Sequence, residues 1–162
     1  MDEPTQDCEI NSLIRECFPD EDKMVCKIRT VMPTRTFLEK IFLLAEEFQK
    51  EHPRYQRMSR HLYDLERIMD NEYGKEAIAN SELYNAIVDH RRTYYGLKYV
   101  DYDKHSPSII SFIPREEIIT DWESDYKKMC EHFIYGETLS FETLLERLTI
   151  LQDRIRNIVH IL

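Results

Sequence analysis

Apolar residues recur along most of the chain at the spacing of amphipathic helices. The clearest pattern covers residues 35–50, where one helix face would carry Phe37, Ile41, Leu44, Ala45 and Phe48. A second pattern covers residues 56–69 and has its own apolar stripe of Met58, Leu62, Leu65 and Met69. Because His52-Pro53 ends the first pattern and only a short polar turn follows, we expect two helices packed antiparallel.

Three further helical patterns follow in the second half of the chain. Together with the first two, they predict a mainly α fold that forms a helical bundle. The first covers residues 82–95, capped by Ser81 and ended by Gly96. The second runs from Pro114 to about residue 135, and the third begins at Ser140. Gly74 is expected to interrupt the chain before a short helical turn at 75–80. In the first of these three helices Ile87 and Tyr94 share one side, and in the other two the apolar positions spaced for burial include Trp122, Tyr126, Phe133, Leu144 and Leu148.

The first 32 residues have a different pattern. Residues 8–18 place Ile10, Leu13, Ile14 and Cys17 at helical spacing, which predicts a short helix. Residues 24–32 alternate with a period of two, which predicts one short strand with one apolar face. A lone strand leaves backbone groups unpaired, so we expect a partner to cover it. We therefore divide the chain into an N-terminal helix and strand, 1–32, and a helical domain, 33–162.

The composition narrows the possible functions. The chain has 162 residues and a formal charge of −9, which disfavours non-specific nucleic-acid binding over its whole surface. Local basic patches remain possible at Arg54, Arg57 and Arg60, or at Arg91 and Arg92. The 4 cysteines form no CxxC pair and the 6 histidines have no ligand spacing, so we predict no metal site. With no apolar run of membrane-spanning length and no targeting signal, we expect a cytoplasmic protein without membrane contact.

The candidate chemistry lies on the first two helices. Lys40 falls between Phe37 and Leu44, so its ammonium group would lie in or beside the buried stripe. Antiparallel packing would bring it towards a polar face of the second helix, which carries Arg57, Arg60, His61 and Asp64. One interpretation is structural: a Lys–Asp pair between packed helices, with Arg60 and Asp64 also paired. The other is that these groups form a functional site.

The same segments resemble the AbiEii/AbiGii family of nucleotidyltransferase toxins, found in bacterial abortive-infection (type IV toxin–antitoxin) systems. The resemblance rests on Thr36-Phe37-Leu38-Glu39-Lys40, on Arg57 followed by Arg60-His61-Leu62-Tyr63-Asp64-Leu65, and on a later DY…M…YG…SF segment. It extends from about residue 28 to near the C-terminus. It implies the C-terminal part of a nucleotidyltransferase-like fold, with Lys40 and Asp64 as catalytic residues. It also implies that Arg57, Arg60 and His61 bind a nucleoside triphosphate or an RNA acceptor, and that a complete enzyme uses Mg²⁺.

The family pattern is incomplete in this chain. Its metal-binding carboxylates come from an N-terminal G-S…D-x-D motif, and the chain contains no Gly-Ser dipeptide. The two D-x-D matches, at 20–22 and 101–103, do not follow a glycine turn and an apolar strand. We therefore expect a C-terminal helical half that is inactive alone, with residues 1–32 attached to a missing sheet domain.

Three kinds of partner are consistent with this expectation: the N-terminal nucleotidyltransferase half, an antitoxin, or a second copy bound through the strand at 24–32. One alternative is a helical interaction module without enzymatic activity. Another is a truncated, inactive gene product whose helical core still folds.

Overall fold

The protein forms seven α-helices and one two-stranded sheet within the residues described by a computed structural model, which are 4–21 and 25–158, with side chains to residue 157. The mainly α class is therefore confirmed. The elements are β1 (Thr5–Ile10), α1 (Leu13–Cys17), β2 (Cys26–Val31), α2 (Pro33–Glu47), α3 (Ser59–Ile68), α4 (Glu72–Ala79), α5 (Ser81–His90), α6 (Ile119–Phe133) and α7 (Phe141–Ile158).

Helix α2 lies at the centre of the core. It packs against α3, α4 and α5, and its predicted apolar stripe is buried throughout. The stripe of α3 is buried as well, and α7 and α6 add further side chains to the same cluster, which includes Leu144, Leu148, Leu151 and Trp122. Because these stripes converge on one another, a single apolar core fixes the relative positions of the helices.

Two predicted helix boundaries were wrong. Asn80, and not Ser81, caps α5, because its side chain accepts a hydrogen bond from the backbone N–H of Leu83. Helix α6 begins at Ile119 after a 3-10 turn, several residues later than Pro114. The predicted burial of Phe133 was also wrong, since this residue is 74% exposed. The predicted end at Gly96 is confirmed, with a π-helical turn at Arg91–Tyr95 before it.

The predicted interruption at Gly74 was wrong, because this residue lies inside α4. Its Cα approaches the end of α3 so closely that a Cβ atom there would collide with the carbonyl oxygen of Ile68. Glycine is therefore required by the close approach of two backbones, because only a residue without a side chain fits.

The N-terminal region is a β-hairpin. The predicted short helix is confirmed at α1, but it does not extend over residues 8–10, which form the end of β1. The predicted strand is confirmed at β2, but it is not a lone strand, because β1 pairs with it antiparallel. Met24, at the start of the predicted strand, lies outside the described residues. The division of the chain at residue 32 stays a prediction.

The two faces of the hairpin differ in chemistry. One face carries an ion pair between Lys27 and Glu9, whose N–O distance is 3.5 Å. The pairing of Cys8 with Ile28, and of Ile10 with Cys26, makes the other face apolar. Ile10 and Ile28 remain 49% and 42% exposed, so the helical core does not cover this face.

Candidate active site

Lys40 and Asp64 form an ion pair that joins α2 to α3. The Lys40 Nζ atom donates a hydrogen bond to Asp64 Oδ2 over 2.7 Å. The two side chains are 20% and 37% exposed, so the pair is partly shielded from water and still accessible. The predicted approach of Lys40 to the polar face of α3 is confirmed. The predicted Arg60–Asp64 pair is absent from the described part of the chain, where Arg60 has no ion-pair partner.

A charge network on α2 fixes Glu39, the residue directly before Lys40. The Arg91 guanidinium group binds Glu46 through two hydrogen bonds of 2.8 and 2.6 Å, and it also contacts Glu39. Glu39 also accepts a hydrogen bond from Arg35 over 3.2 Å. Such bidentate, charge-assisted bonds resist rotation, so the residue directly before Lys40 is fixed to α5.

His61 is buried beside Lys40. Burial, followed by the charges of Lys40 and Arg60, lowers the pKa of this imidazole to about 4. His61 is therefore neutral at pH 7. Its Nδ1 atom has no hydrogen-bond partner within the described residues. A neutral, buried imidazole cannot attract a phosphate by charge, which leaves Arg57 and Arg60 as the candidate phosphate-binding cations among the predicted site residues.

Asp125 of α6 fixes the start of α3, a role that sequence reasoning missed. Its Oδ1 atom accepts a hydrogen bond from the Arg57 backbone N–H over 2.7 Å. Its Oδ2 atom accepts two more, from the Ser59 backbone N–H over 3.0 Å and from the Ser59 hydroxyl over 2.5 Å. Asp125 therefore caps α3 in place of a local side chain, since the N-cap residue Met58 makes no such bond.

Arg57 adopts a left-handed backbone conformation with φ of 59°. This conformation costs a non-glycine residue about 1 kcal/mol or more. The hydrogen bond from its N–H to Asp125 helps to hold the turn. The Arg57 side chain is exposed at the end of the turn that precedes α3.

A cleft of about 440 Å³ lies between the start of α3 and the C-terminal half of α6. Asp64 lies in its wall, so the cleft is adjacent to the Lys40–Asp64 pair. Its other lining residues are Arg57, Ser59, Arg60, Tyr63, Asp125, Lys128, Met129, His132, Phe133 and Ile134. A larger hollow of about 730 Å³ lies between the hairpin and α5, and neither Lys40 nor Asp64 lines it.

The other basic patch considered from the sequence is neutralised. Arg91 is buried against Glu39 and Glu46, and Arg92 pairs with Asp103 over 2.9 Å. Of the two D-x-D matches, the later one has a local structural role, because Asp101 accepts a hydrogen bond from the Asp103 N–H. Asp22 of the earlier match lies outside the described residues.

The residues of this site do not fit a Mg²⁺ ion. The Asp64 carboxylate is engaged by Lys40, and both Asp125 oxygens accept hydrogen bonds from the turn before α3. Elsewhere in the described ranges, no group of three or more histidine, cysteine or acidic side chains could hold a metal ion. The predicted use of Mg²⁺ by a complete enzyme stays a prediction. None of the described helices has the length and apolar character needed to cross a membrane.

A protein-family model matches most of the chain. Residues 1–147 match the family described as "Nucleotidyl transferase AbiEii toxin, Type IV TA system". The match begins at residue 1, so it includes the hairpin and extends further than the similarity expected from about residue 28. Comparison with curated proteins and with solved structures gives no match. The family model spans most of the 162 residues, including both motif helices and the cleft. The chain therefore belongs to the AbiEii family of nucleotidyl transferase toxins of type IV toxin–antitoxin systems.

Proposed function

We propose that this chain is the C-terminal, helical part of an AbiEii nucleotidyltransferase, and that Lys40 and Asp64 are its catalytic residues. The observation that carries this proposal is the 2.7 Å ion pair between the two motif helices, at the edge of a cleft. Nucleotidyl transfer develops negative charge on the phosphates of the donor nucleotide. A positioned ammonium group stabilises such charge.

In this proposal Lys40 binds the triphosphate and stabilises the leaving pyrophosphate, and Asp64 orients Lys40. Arg57 and Arg60 bind phosphates of the nucleotide or of the RNA acceptor. Asp64 would keep the Lys40 side chain extended towards its substrate, since an ion pair restricts the rotation of a long side chain. His61, being neutral, contributes to the shape of the site and not to its charge.

The chain alone is expected to transfer no nucleotide. Polymerase-type transfer needs two or three carboxylates to hold the metal ions, and the residues described above do not provide them. A second unit with the G-S…D-x-D motif would have to supply them. Sequencing the DNA upstream of the codon for Met1 would show whether such a unit is encoded there, as the same protein or as a separate one.

The roles of Lys40 and Asp64 can be tested in an enzyme assembled from this chain and that unit. We expect Lys40→Ala and Asp64→Ala to lower the incorporation of labelled nucleotide into RNA by at least a hundredfold and to abolish growth inhibition. The ion pair is partly exposed, so its loss should cost about 1 kcal/mol or less of folding stability.

Lys50→Ala is the matched control, because Lys50 forms an ion pair with Glu47 at the same N–O distance of 2.7 Å and lies outside the cleft. Its activity should equal that of the wild type. Full activity of both Lys40→Ala and Asp64→Ala would contradict the assigned roles. Incorporation of nucleotide by the isolated chain, above a Lys40→Ala control, would contradict the expected inactivity.

The family also implies an antitoxin. A direct complex of this chain with an antitoxin remains a proposal, as does a cytoplasmic location.

The second candidate is a helical interaction module without enzymatic activity. The apolar face of the hairpin favours it, because Ile10 and Ile28 on this face are 49% and 42% exposed. Exposed apolar groups in one region are typical of surfaces that bind another protein. The two candidates are compatible, since the unit that supplies the metal carboxylates is itself a partner for this face.

A further inference from the structure

The cleft between α3 and α6 combines unpaired positive charge with an apolar wall. Arg57, Arg60 and Lys128 line it, and none of the three forms an ion pair with another described residue. The cleft also carries two carboxylates, but Asp64 is paired with Lys40 and both Asp125 oxygens accept hydrogen bonds from the start of α3. The lining therefore has a surplus of positive charge in a chain whose formal charge is −9. Such a cluster attracts anions, because the cations are not neutralised from within the protein.

The apolar part of the cleft comes mainly from α6. Met129, Phe133 and Ile134 line it together with Tyr63 of α3. Phe133 is 74% exposed, although α6 has a buried face that takes Trp122 and Tyr126 into the core. An exposed phenyl ring at a cleft with cationic residues can stack on a flat aromatic group that also carries negative charge.

We propose that this cleft binds a nucleoside phosphate, with its base against Phe133 and Tyr63 and its phosphate at Arg57, Arg60 and Lys128. This inference rests on the proposed function, and it extends the binding site from α3 to α6. A volume of about 440 Å³ lies in the range of small-molecule sites and suits a single nucleotide. Because Asp64 lies in the wall, the bound nucleotide would lie beside the Lys40–Asp64 pair.

Two sources could supply this chemistry: a free nucleoside triphosphate, or the last nucleotide of an RNA strand. The purified chain is therefore titrated with each of the four ribonucleoside triphosphates in one arm. In the other arm it is titrated with a single-stranded RNA hexamer that carries a 5′ fluorophore and a free 3′-hydroxyl group. Saturable binding in one arm identifies the source, and the absence of saturable binding in both arms would overturn the proposal.

Two pairs of variants locate the binding. Phe133→Ala should weaken the affinity about tenfold, in keeping with the contribution of one base–aromatic stack. Tyr135→Ala should leave the affinity within twofold of the wild type, because Tyr135 is 99% exposed and does not line the cleft. Lys128→Glu should weaken the affinity at least tenfold and reduce its salt dependence. Lys127→Glu, which makes the same charge change at an exposed neighbouring position, should not.

If Phe133→Ala and Tyr135→Ala changed the affinity equally, or if the two lysine variants did, binding in this cleft would be contradicted. Thermal melting of each variant separates loss of binding from loss of folding. The test is also distinct from that of the proposed function. If Lys40→Ala retained full transferase activity while Phe133→Ala lost nucleotide binding, the catalytic assignment would fail and the binding site would stand. If instead Lys40→Ala lost transferase activity while Phe133→Ala bound nucleotide as the wild type does, the catalytic assignment would stand and the binding site in this cleft would fail.

Discussion

His61 makes the stability of the protein depend on pH. Its imidazole has a pKa lowered to about 4 by burial and by the adjacent Lys40 and Arg60 charges. In the unfolded chain it would titrate near 6.5. Above pH 6.5 both states hold a neutral imidazole. Between about pH 6.5 and 4 only the unfolded state binds the proton, so the protein loses stability as the pH falls.

We therefore expect His61→Gln to flatten the pH dependence of the free energy of unfolding between pH 4 and 6.5. The difference in slope from the wild type should reach about 1.4 kcal/mol per pH unit, the value for one proton. Urea unfolding at a series of pH values measures it. His52→Gln is the matched control, because it removes an exposed histidine outside the site. Identical slopes for the wild type and His61→Gln would contradict this account.

At the residue scale, the sequence predicted the meeting of Lys40 with Asp64 and did not predict how they are held. The meeting was predictable because both residues lie beside apolar stripes, and those stripes must face each other in the core. The network behind Lys40 was not, because Arg91 lies 45 positions after Glu46 and no local spacing connects them. The burial of His61 also depends on its tertiary neighbours, and an i, i+4 pattern on α3 cannot predict it.

At the scale of elements, Asp125 connects α6 to the start of α3. Three hydrogen bonds from the turn end on this one carboxylate. In Asp125→Asn an amide nitrogen replaces one of the two oxygens and faces a donor, so at least one backbone N–H at the start of α3 loses its acceptor. We expect the free energy of unfolding to fall by about 1–3 kcal/mol, measured by thermal or urea unfolding.

Asp125→Asn should also weaken nucleotide binding in the cleft, since the turn that carries Arg57 would lose its anchor on α6. Asp121→Asn is the control, as Asp121 lies one turn earlier on α6 and is exposed. It removes the same charge, so any effect of net charge appears in both variants. A stability of Asp125→Asn equal to that of Asp121→Asn would mean that the cap does not hold the turn.

The elements themselves differ in how far the sequence determines them. Long stripes such as Leu144, Leu148 and Leu151 predict a helix because each apolar position repeats the same face. The hairpin was missed because Ile10, Leu13 and Ile14 fit a helix equally well, and strand pairing depends on residues some twenty positions away. Asp125 belonged to the DY segment that supported the family resemblance, so a signal was present. The sequence pattern around Asp125 did not indicate which residues at the start of α3 this carboxylate binds.

At the scale of the whole molecule, the apolar face of the hairpin affects association. In isolation the chain should self-associate through this face, because Ile10 and Ile28 are about half exposed there. Ile28→Glu should shift the chain towards monomer in light scattering at micromolar concentration. The carboxylate introduced by this substitution would lie on the apolar face, and it would have to lose its hydration whenever two chains associate there.

Val31→Glu is the matched control, because Val31 is 41% exposed, against 42% for Ile28, and its pairing with Thr5 places it on the opposite face. It should leave the association unchanged. A wild-type chain that is a monomer at every concentration would contradict this prediction. Equal effects of the two variants would show that association does not use the apolar face.

Glu39 and Lys40 are neighbours on α2 that have partners on different sides of the helix. Glu39 is bound to Arg91 at the end of α5, and Lys40 is bound to Asp64 on α3. Consecutive residues on an α-helix are separated by about 100° around its axis. The two ion pairs therefore fix the rotational phase of α2. An insertion or deletion of one residue before Glu39 would turn the N-terminal segment of the helix, with Arg35, away from this network.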